Sequence, residues 1–393
     1  MNPNTPVITS AARTAIGAFM GSFASVPATA LAAHVLKANL DRSRVDPKEV
    51  DEVILGQVLQ AGVGQAPARQ AALFAGIPNT SSAWTVNKVC SSGLRAIMSA
   101  AQSISLGETK VMLAGGMENM SLAPYALDRA RAGYRLGNGI ITDLMVSDGL
   151  WDPHNNIHMG SCAEMCAKEY KFTREQQDEF AAESYRHAIA AQKEGKFKDE
   201  IVPVVIKGRK GEVSVDTDEE PGNVNFEKMP LLKPAFEKEG TITAANASKI
   251  NDGASAVMVM SYEESQRRGL KPLARIVGHS TFSHAPEWFT TAPAPAVQKL
   301  LRRIDWKVSD VDLFELNEAF SVVGLYNTKE LGVPSNKVNV WGGAVALGHP
   351  IGSSGCRIVV TLLHALKNRG GKRGVVGICN GGGEATAMAV EML

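Results

Sequence analysis

The chain is poor in every feature that would mark it for a membrane, a disulfide scaffold or a nucleic-acid surface. Five cysteines in 393 residues are too few for a disulfide framework. No apolar run approaches the roughly 18–20 residues that span a bilayer. With 41 Lys and Arg against 40 Asp and Glu, a formal charge of +1 argues against a broad electrostatic footprint for nucleic acid. The basic string Lys207-Gly208-Arg209-Lys210 reads as a solvated turn. Cys162 and Cys166 stand four apart on a predicted helix. They lack a Cys-x-x-Cys or His-rich partner, so no metal site is expected. Cys356 reads as a buried structural thiol. The N-terminus carries neither a secretory pattern nor an Arg-rich presequence, and Val390-Glu391-Met392-Leu393 is not a peroxisomal Ser-Lys-Leu address. The expectation is a cytoplasmic protein.

What is present is an ordinary globular composition, 45% apolar and 21% charged, in a chain long enough for two halves around a large core. The strongest pattern is an internal repeat. Ser91-Ser92-Gly93-Leu94-Arg95 returns as Ser353-Ser354-Gly355-Cys356-Arg357, each opening an apolar helical stretch. After each comes an apolar strand running into glycines and a glutamate, Val111 to Glu118 and Val375 to Glu384. In this alignment Cys90 faces Gly352.

Alternating strand and helix signals over residues 1–120 predict an α/β architecture with a mainly parallel sheet. Residues 121–250 break that rhythm with scattered glycines and a charged, turn-rich stretch, and read as a loop-rich insertion carrying binding surface. Within it Thr173 and Gln176 form a capping-box signature at the head of a helix to Lys193. The first half closes at 251–273 and the second occupies 274–393, giving a layered sandwich of two similar halves. In the second half, helices are predicted over Ala294–Ile304, Asn317–Glu330 and Gly352–Leu366.

Four positions carry candidate chemistry. Cys90 ends an extended segment and starts a helix, where unpaired backbone N–H groups favour a thiolate and supply an oxyanion-binding amide. Alternatively it is an inert buried thiol. His349, within the glycine-rich run Gly342 to Gly352, could take a proton from a thiol, or be a satisfied core histidine. Cys379, before Asn380-Gly381-Gly382-Gly383, could act as an acid/base at a reacting carbon. Asn317 reads either as a helix N-cap or as the holder of a water or an oxyanion.

Taken in order along the chain, several strings resemble the thiolase family. They are Arg13 to Gly17, Val89 to Gly93, Gly115 to Ser121, Asn251 to Ala254, Asn317 to Phe320 and the two C-terminal glycine loops. The resemblance covers essentially the whole chain and implies a duplicated α/β/α/β/α sandwich. It implies that Cys90 is acylated, and that His349 activates it. His349 and a water on Asn317 would form one oxyanion hole, the amides of Cys90 and Gly381 another, and Cys379 would move the α-proton. His158-Met159-Gly160 resembles the corresponding segment of biosynthetic, acetoacetyl-CoA-type thiolases. There the Met closes the acyl pocket; Leu150, His158, Ser248, Ala319 and Phe320 would line the CoA arm.

The implied activity is reversible condensation of two acetyl-CoA to acetoacetyl-CoA and CoA, with coenzyme A thioesters as substrates and no bound cofactor. The implied assembly is a homodimer or a dimer of dimers (a homotetramer), with Leu122 to Gly139 as the candidate tetramer contact. A broader-range degradative 3-oxoacyl-CoA thiolase is the alternative. A β-ketoacyl synthase would carry a second His where Cys379 stands, and a non-catalytic lipid-binding relative would not need the whole set. In the loop Glu219 to Asn223, relatives can carry an Arg for the CoA nucleotide; this chain has none, leaving Lys207, Arg209 or Lys228 as substitutes.

Overall fold

The structure, a computed structural model, describes residues 1–208 and 211–393. In chain order the main strands are β1 (Pro6–Arg13), β2 (Glu52–Gly56), β3 (Ser82–Val86), β4 (Val111–Asn119), β5 (Asn251–Ser261), β6 (Ala274–Ser283), β7 (Leu313–Leu316), β8 (Arg373–Asn380) and β9 (Glu384–Met392). The helices that matter here are α1 (Ala28–Ser43), α2 (Pro67–Phe74), α3 (Ser92–Leu106), α4 (Met159–Glu169), α5 (Arg174–Lys193), α6 (Pro293–Arg303), α7 (Ser321–Leu331) and α8 (Ile351–Arg369).

The sheet runs β7-β8-β9-β6-β1-β5-β4-β2-β3. Its two halves repeat one pattern. In the first, β1, β5 and β4 are antiparallel neighbours, and β2 and β3 continue parallel to β4. In the second, β6, β9 and β8 are antiparallel and β7 continues parallel to β8. Val338 makes a parallel bridge to Phe314 where the counterpart of β3 would lie. The sheet is therefore mixed, and the expectation of a mainly parallel one is corrected. The crossover rule applies only where a helix separates two strands. Between β8 and β9 the chain turns through Gly381-Gly382-Gly383, with φ of +89° and +76° at the last two, and so returns antiparallel.

Helices α3 and α8 pack against each other and against strands of both halves, forming the middle layer. On the outer faces α1 and α2 cover the first half, and α6 and α7 the second. Every residue of β4 and β5 is buried, as expected for strands covered on both faces. The predicted helix at Asn317 starts four residues later, at Ser321, so Asn317 lies in the preceding turn and caps nothing. The Thr173–Gln176 capping box is present at the start of α5. Cys162 and Cys166 are buried within α4, and Cys356 within α8. Among the described residues, no helix is long and apolar enough to cross a membrane.

The middle layer is close-packed through glycine. A Cβ at Gly93 would lie 2.8 Å from the Cys356 nitrogen, and one at Gly355 would lie 2.5 Å from the Leu94 nitrogen. Neither neighbour is a movable side-chain tip, so the helices must separate to admit a methyl group. Gly355→Ala is expected to destabilise the protein by about 1–3 kcal/mol. A urea midpoint shifted downward at constant m would show it; an unchanged midpoint would mean slack between the central helices.

Candidate active site

The turn carrying Cys90 is strained and held. Val89 has φ of +46°, a conformation that a β-branched residue adopts only when its surroundings impose it. Here the Asn87 side chain accepts from the Val89 N–H (3.0 Å), and the Ser92 hydroxyl accepts from the Lys88 N–H (2.8 Å) and donates to the Val89 carbonyl (2.6 Å). The Ser91 hydroxyl donates to Asn380 Oδ1 (2.8 Å), and Asn380 Nδ2 donates to the Gly381 carbonyl (2.9 Å). The Cys90 turn of one half is thereby fastened to the glycine loop of the other. As a result, the N–H groups of both Cys90 and Gly381 point at the Cys90 sulfur.

His349 comes from the turn just before α8. Its backbone N–H donates to Asn251 Oδ1 (2.9 Å), and its Nδ1 lies 2.7 Å from the Ser354 hydroxyl. That hydroxyl donates its single proton to the Pro350 carbonyl (2.9 Å), so it must accept from Nδ1. The proton therefore sits on Nδ1 and Nε2 keeps a free lone pair. Nε2 is buried without a protein hydrogen-bond partner, and so are both polar atoms of the Asn317 side chain. The Asn317 turn is fixed by its neighbour Glu318, which accepts from Ser184 (2.7 Å), Asn339 (2.8 Å) and the Val345 N–H (3.2 Å).

Cys90, His349 and Gly381 line one cavity of about 220 Å³ with Leu150, His158, Met159, Ser248, Ala319 and Phe320. Cys379 lies behind this surface, fully buried in a cluster with Met159, Ala319 and Phe320. A larger cleft of about 860 Å³, bordered by Gln102, Arg275 and Arg303, holds no thiol. His158 caps α4 by accepting the Gly160 N–H on Nδ1 (3.0 Å), which leaves Nε2–H as its donor. Its ring stacks on Phe236 at 4.8 Å between centroids. Gly160 leaves room for that phenyl ring, since a Cβ there would come within 2.4 Å of it.

Burial dominates the electrostatics. It pushes the Cys90 thiol up to about 12, with Glu118 adding to the rise and the two amides opposing it. It pushes the His349 imidazole down to about 3, with Arg357 contributing. Burial, and then Cys90, hold the Cys379 thiol well above its ordinary range. The expectation that the helix start favours a resting thiolate at Cys90 is corrected: desolvation outweighs the two amides, and the resting pair is a neutral thiol and a neutral imidazole.

Other residues of the site were not singled out as site residues from sequence, although several lie in strings that stood out. Asn251 holds the His349 backbone, Ser354 sets the imidazole tautomer, and the Glu118 charge acts on the Cys90 thiol. Phe236, Ile250 and Phe289 also line the cavity and carry no signal in the sequence. Of the substitutes for a nucleotide-binding Arg, Lys207 and Lys228 are exposed and outside this cavity, while Arg209, with Lys210, lies outside the described residues. The Lys or Arg that does line it, among the described residues, is Lys249. Its amine donates to the Ala247 carbonyl (2.8 Å) and is pushed down to about 8 by burial.

The family model "Thiolase, N-terminal domain" matches residues 6–263, and "Thiolase, C-terminal domain" matches residues 270–392. A "Probable acetyl-CoA acetyltransferase" of Dictyostelium discoideum is 54% identical, over 100% of this chain and 95% of its own length. An acetyl-CoA acetyltransferase of Cupriavidus necator is 52% identical, over 98% of each. The crystal structure of the Bacillus anthracis acetyl-CoA acetyltransferase superposes with a TM-score of 0.97 at 46% identity, covering 99% of both chains.

A neutral thiol–imidazole pair has a kinetic signature. Alkylation of Cys90 by iodoacetamide should quicken about tenfold per pH unit between about pH 6 and pH 9, because only the thiolate reacts. A rate that is flat over that range would mean a thiolate–imidazolium pair instead.

Proposed function

The chain belongs to the thiolase family, and on that premise we propose that it is an acetyl-CoA C-acetyltransferase, joining two acetyl-CoA into acetoacetyl-CoA and free CoA and also running the reverse thiolysis. The observation carrying this reading is the single cavity in which Cys90, a His349 with a free Nε2 and the Gly381 amide meet under Met159. In the first half-reaction the Cys90 sulfur attacks the thioester carbonyl while its proton passes to His349 Nε2. The amides of Cys90 and Gly381 receive the negative charge that develops on the acetyl oxygen. The C–S bond to CoA breaks, and the departing sulfur takes a proton from Cys379.

In the second half-reaction the Cys379 thiolate removes the α-proton of a second acetyl-CoA. A thiol held well above its ordinary range has a strongly basic conjugate thiolate, which suits a carbon acid. The enolate oxygen is met by His349 and a water held by Asn317. Its carbon attacks the acetyl group, the bond to Cys90 breaks, and His349 returns the proton to that sulfur. Atoms balance with CoA thioesters as the substrates and no resident cofactor. Kinetics should be ping-pong.

Met159 sets acyl length in this reading. Its Sδ and Cε would lie within 3.9 Å of a Cβ at Gly381, beside the reacting carbon. The His158 Nε2–H is a fixed donor toward the pantetheine arm. For assembly we assign a dimer of dimers, supported by the hairpin Tyr125–Leu127/Ile141–Asp143. Around it Tyr125, Leu136 and Ile140 stand well exposed, an apolar surface that a partner subunit would cover.

The decisive comparison is kcat/KM for CoA-dependent cleavage of acetoacetyl-CoA against 3-oxooctanoyl-CoA. A strong preference for the shorter substrate is expected, and Met159→Ala should raise the relative rate on the longer one by about tenfold or more. Comparable rates in the unmodified protein would transfer it to the broad-range degradative group. Cys379→Ala should still accept an acetyl group on Cys90 but lose condensation by about 10²–10⁴-fold. Retained condensation would assign the α-proton to another base.

A further inference from the structure

The duplication produces a second version of the site. Gly56 of β2 stands opposite Gly116 of β4, and Leu316 of β7 stands opposite Gly377 of β8. Counting on from these pairs puts Gln57 where the other half has Asn317, and Glu118 where it has Cys379. Aligning the starts of α3 and α8 puts Gly352 in place of Cys90 and Asn87 in place of His349. The mirror positions of the whole catalytic set are thus Gly352, Asn87, Gln57 and Glu118.

The mirror site is filled from within. The N–H of Gly352, counterpart of an amide that faces the Cys90 sulfur, donates to Glu118 Oε2 at 2.9 Å. The same carboxylate accepts the N–H groups of Val58 (3.0 Å) and Leu59 (3.2 Å). A Cβ at Gly352 would lie 2.7 Å from Glu118 Oε2 and 2.5 Å from the Met117 carbonyl, so no nucleophilic side chain fits there. Glu118 is fully buried. Burial first, with the like charge of Asp252 also contributing, pushes its carboxyl up to about 7 against the pull of those three amides.

The attachments of that carboxylate lead into the working site. Gly352 is three residues beyond His349, on the first turn of α8. Val58, Leu59, Met120, Met145 and Ile351 form one apolar cluster on which Cys90, Leu150 and Ile250 pack. Glu118 of β4 is the charged group that acts on the Cys90 sulfur, and Cys90 in turn helps to raise the Cys379 thiol of β8.

Building on the thiolase reading above, we propose that Glu118 is a positioning residue for the reaction. Its carboxylate plugs the anion pocket of the thiol-free half and thereby locks the turn of His349 and the Val58–Leu59 wall of the cavity. The duplicated chain is left with one competent site. An amide at this position keeps one acceptor oxygen but turns its N–H group toward a backbone N–H at the other end, so Glu118→Gln weakens the lock while keeping the shape.

The test uses the full-length protein, with Glu118→Gln and Glu118→Asp compared about one pH unit above the value to which the Glu118 carboxyl is raised. In Glu118→Gln, kcat for thiolysis of acetoacetyl-CoA should fall by about 10- to 100-fold, with KM changed less than about threefold. The pH profile of Cys90 alkylation should move toward lower pH by about half a unit or more, because a neighbouring negative charge is gone. A nucleophile made more acidic in a slower enzyme is a combination that simple loss of stability does not produce. Glu118→Asp keeps the charge and should keep the wild-type alkylation profile while recovering part of kcat. If Glu118→Gln does not fold, the aspartate variant decides: unchanged kcat with the shortened side chain would overturn the proposal. So would a foldable Glu118→Gln with unchanged kcat and profile. Wild-type protein that neither cleaves acetoacetyl-CoA nor acetylates Cys90 would instead remove the functional reading itself.

Discussion

Everything in this molecule depends on how closely its two central helices approach. With Gly93 and Gly355 at the crossing, α3 and α8 touch backbone to backbone. Each helix therefore delivers its first turn to the strand ends of the other half. Cys90 comes from the start of one helix and His349 from just before the start of the other. Gly381 comes from the hairpin of the second half, fastened to the Cys90 turn through Ser91 and Asn380. A side chain at the crossing would part these elements by more than the tolerance of any hydrogen bond in the site.

The same burial that fixes the geometry also sets the electrostatics. Cys379 and His349 are buried and Cys90 half-buried, and burial raises both thiols and lowers the imidazole, so all three rest uncharged. In the proposed reaction, charge would appear only on an acetyl oxygen or an enolate, beside the amides that face the Cys90 sulfur and a His349 Nε2 left without a partner. Preorganised donors of this kind gain most in a poorly screened interior. The strain at Val89 belongs to the same design, for a positive φ at a β-branched residue turns both the sulfur and its own amide toward the cavity.

How much was legible in the sequence varies by residue. The repeat of Ser-Ser-Gly exposed the duplication, and the cavity gathers Cys90, His349 and Gly381 with Leu150, His158, Met159, Ser248, Ala319 and Phe320. Cys379 stands behind its wall and Asn317 is buried outside its lining, an arrangement that spacing along a chain cannot convey. The expectation of a mainly parallel sheet fails because the antiparallel strands enter from outside residues 1–120, β5 after the insertion and β9 through a glycine hairpin. The helix start points to a resting thiolate at Cys90, yet the balance between two amides and desolvation is a property of depth, which periodicity does not report. Glu118 lay in a string that stood out, but its meaning needed the register of β2 against β4. Phe236 and Phe289 reach the site from loops and 3-10 turns whose packing has no sequence period.

The central claim is that this fold parks an acetyl group on one thiol at the meeting point of its two halves. Rapid acid quench after mixing with acetyl-CoA, followed by peptide mass spectrometry, tests it most directly. The account predicts an acetyl thioester on the peptide containing Cys90, formed within one turnover and discharged when free CoA is added. Turnover without that adduct, or a transient acetyl group on Cys379, Cys162, Cys166 or Cys356 instead, would contradict it.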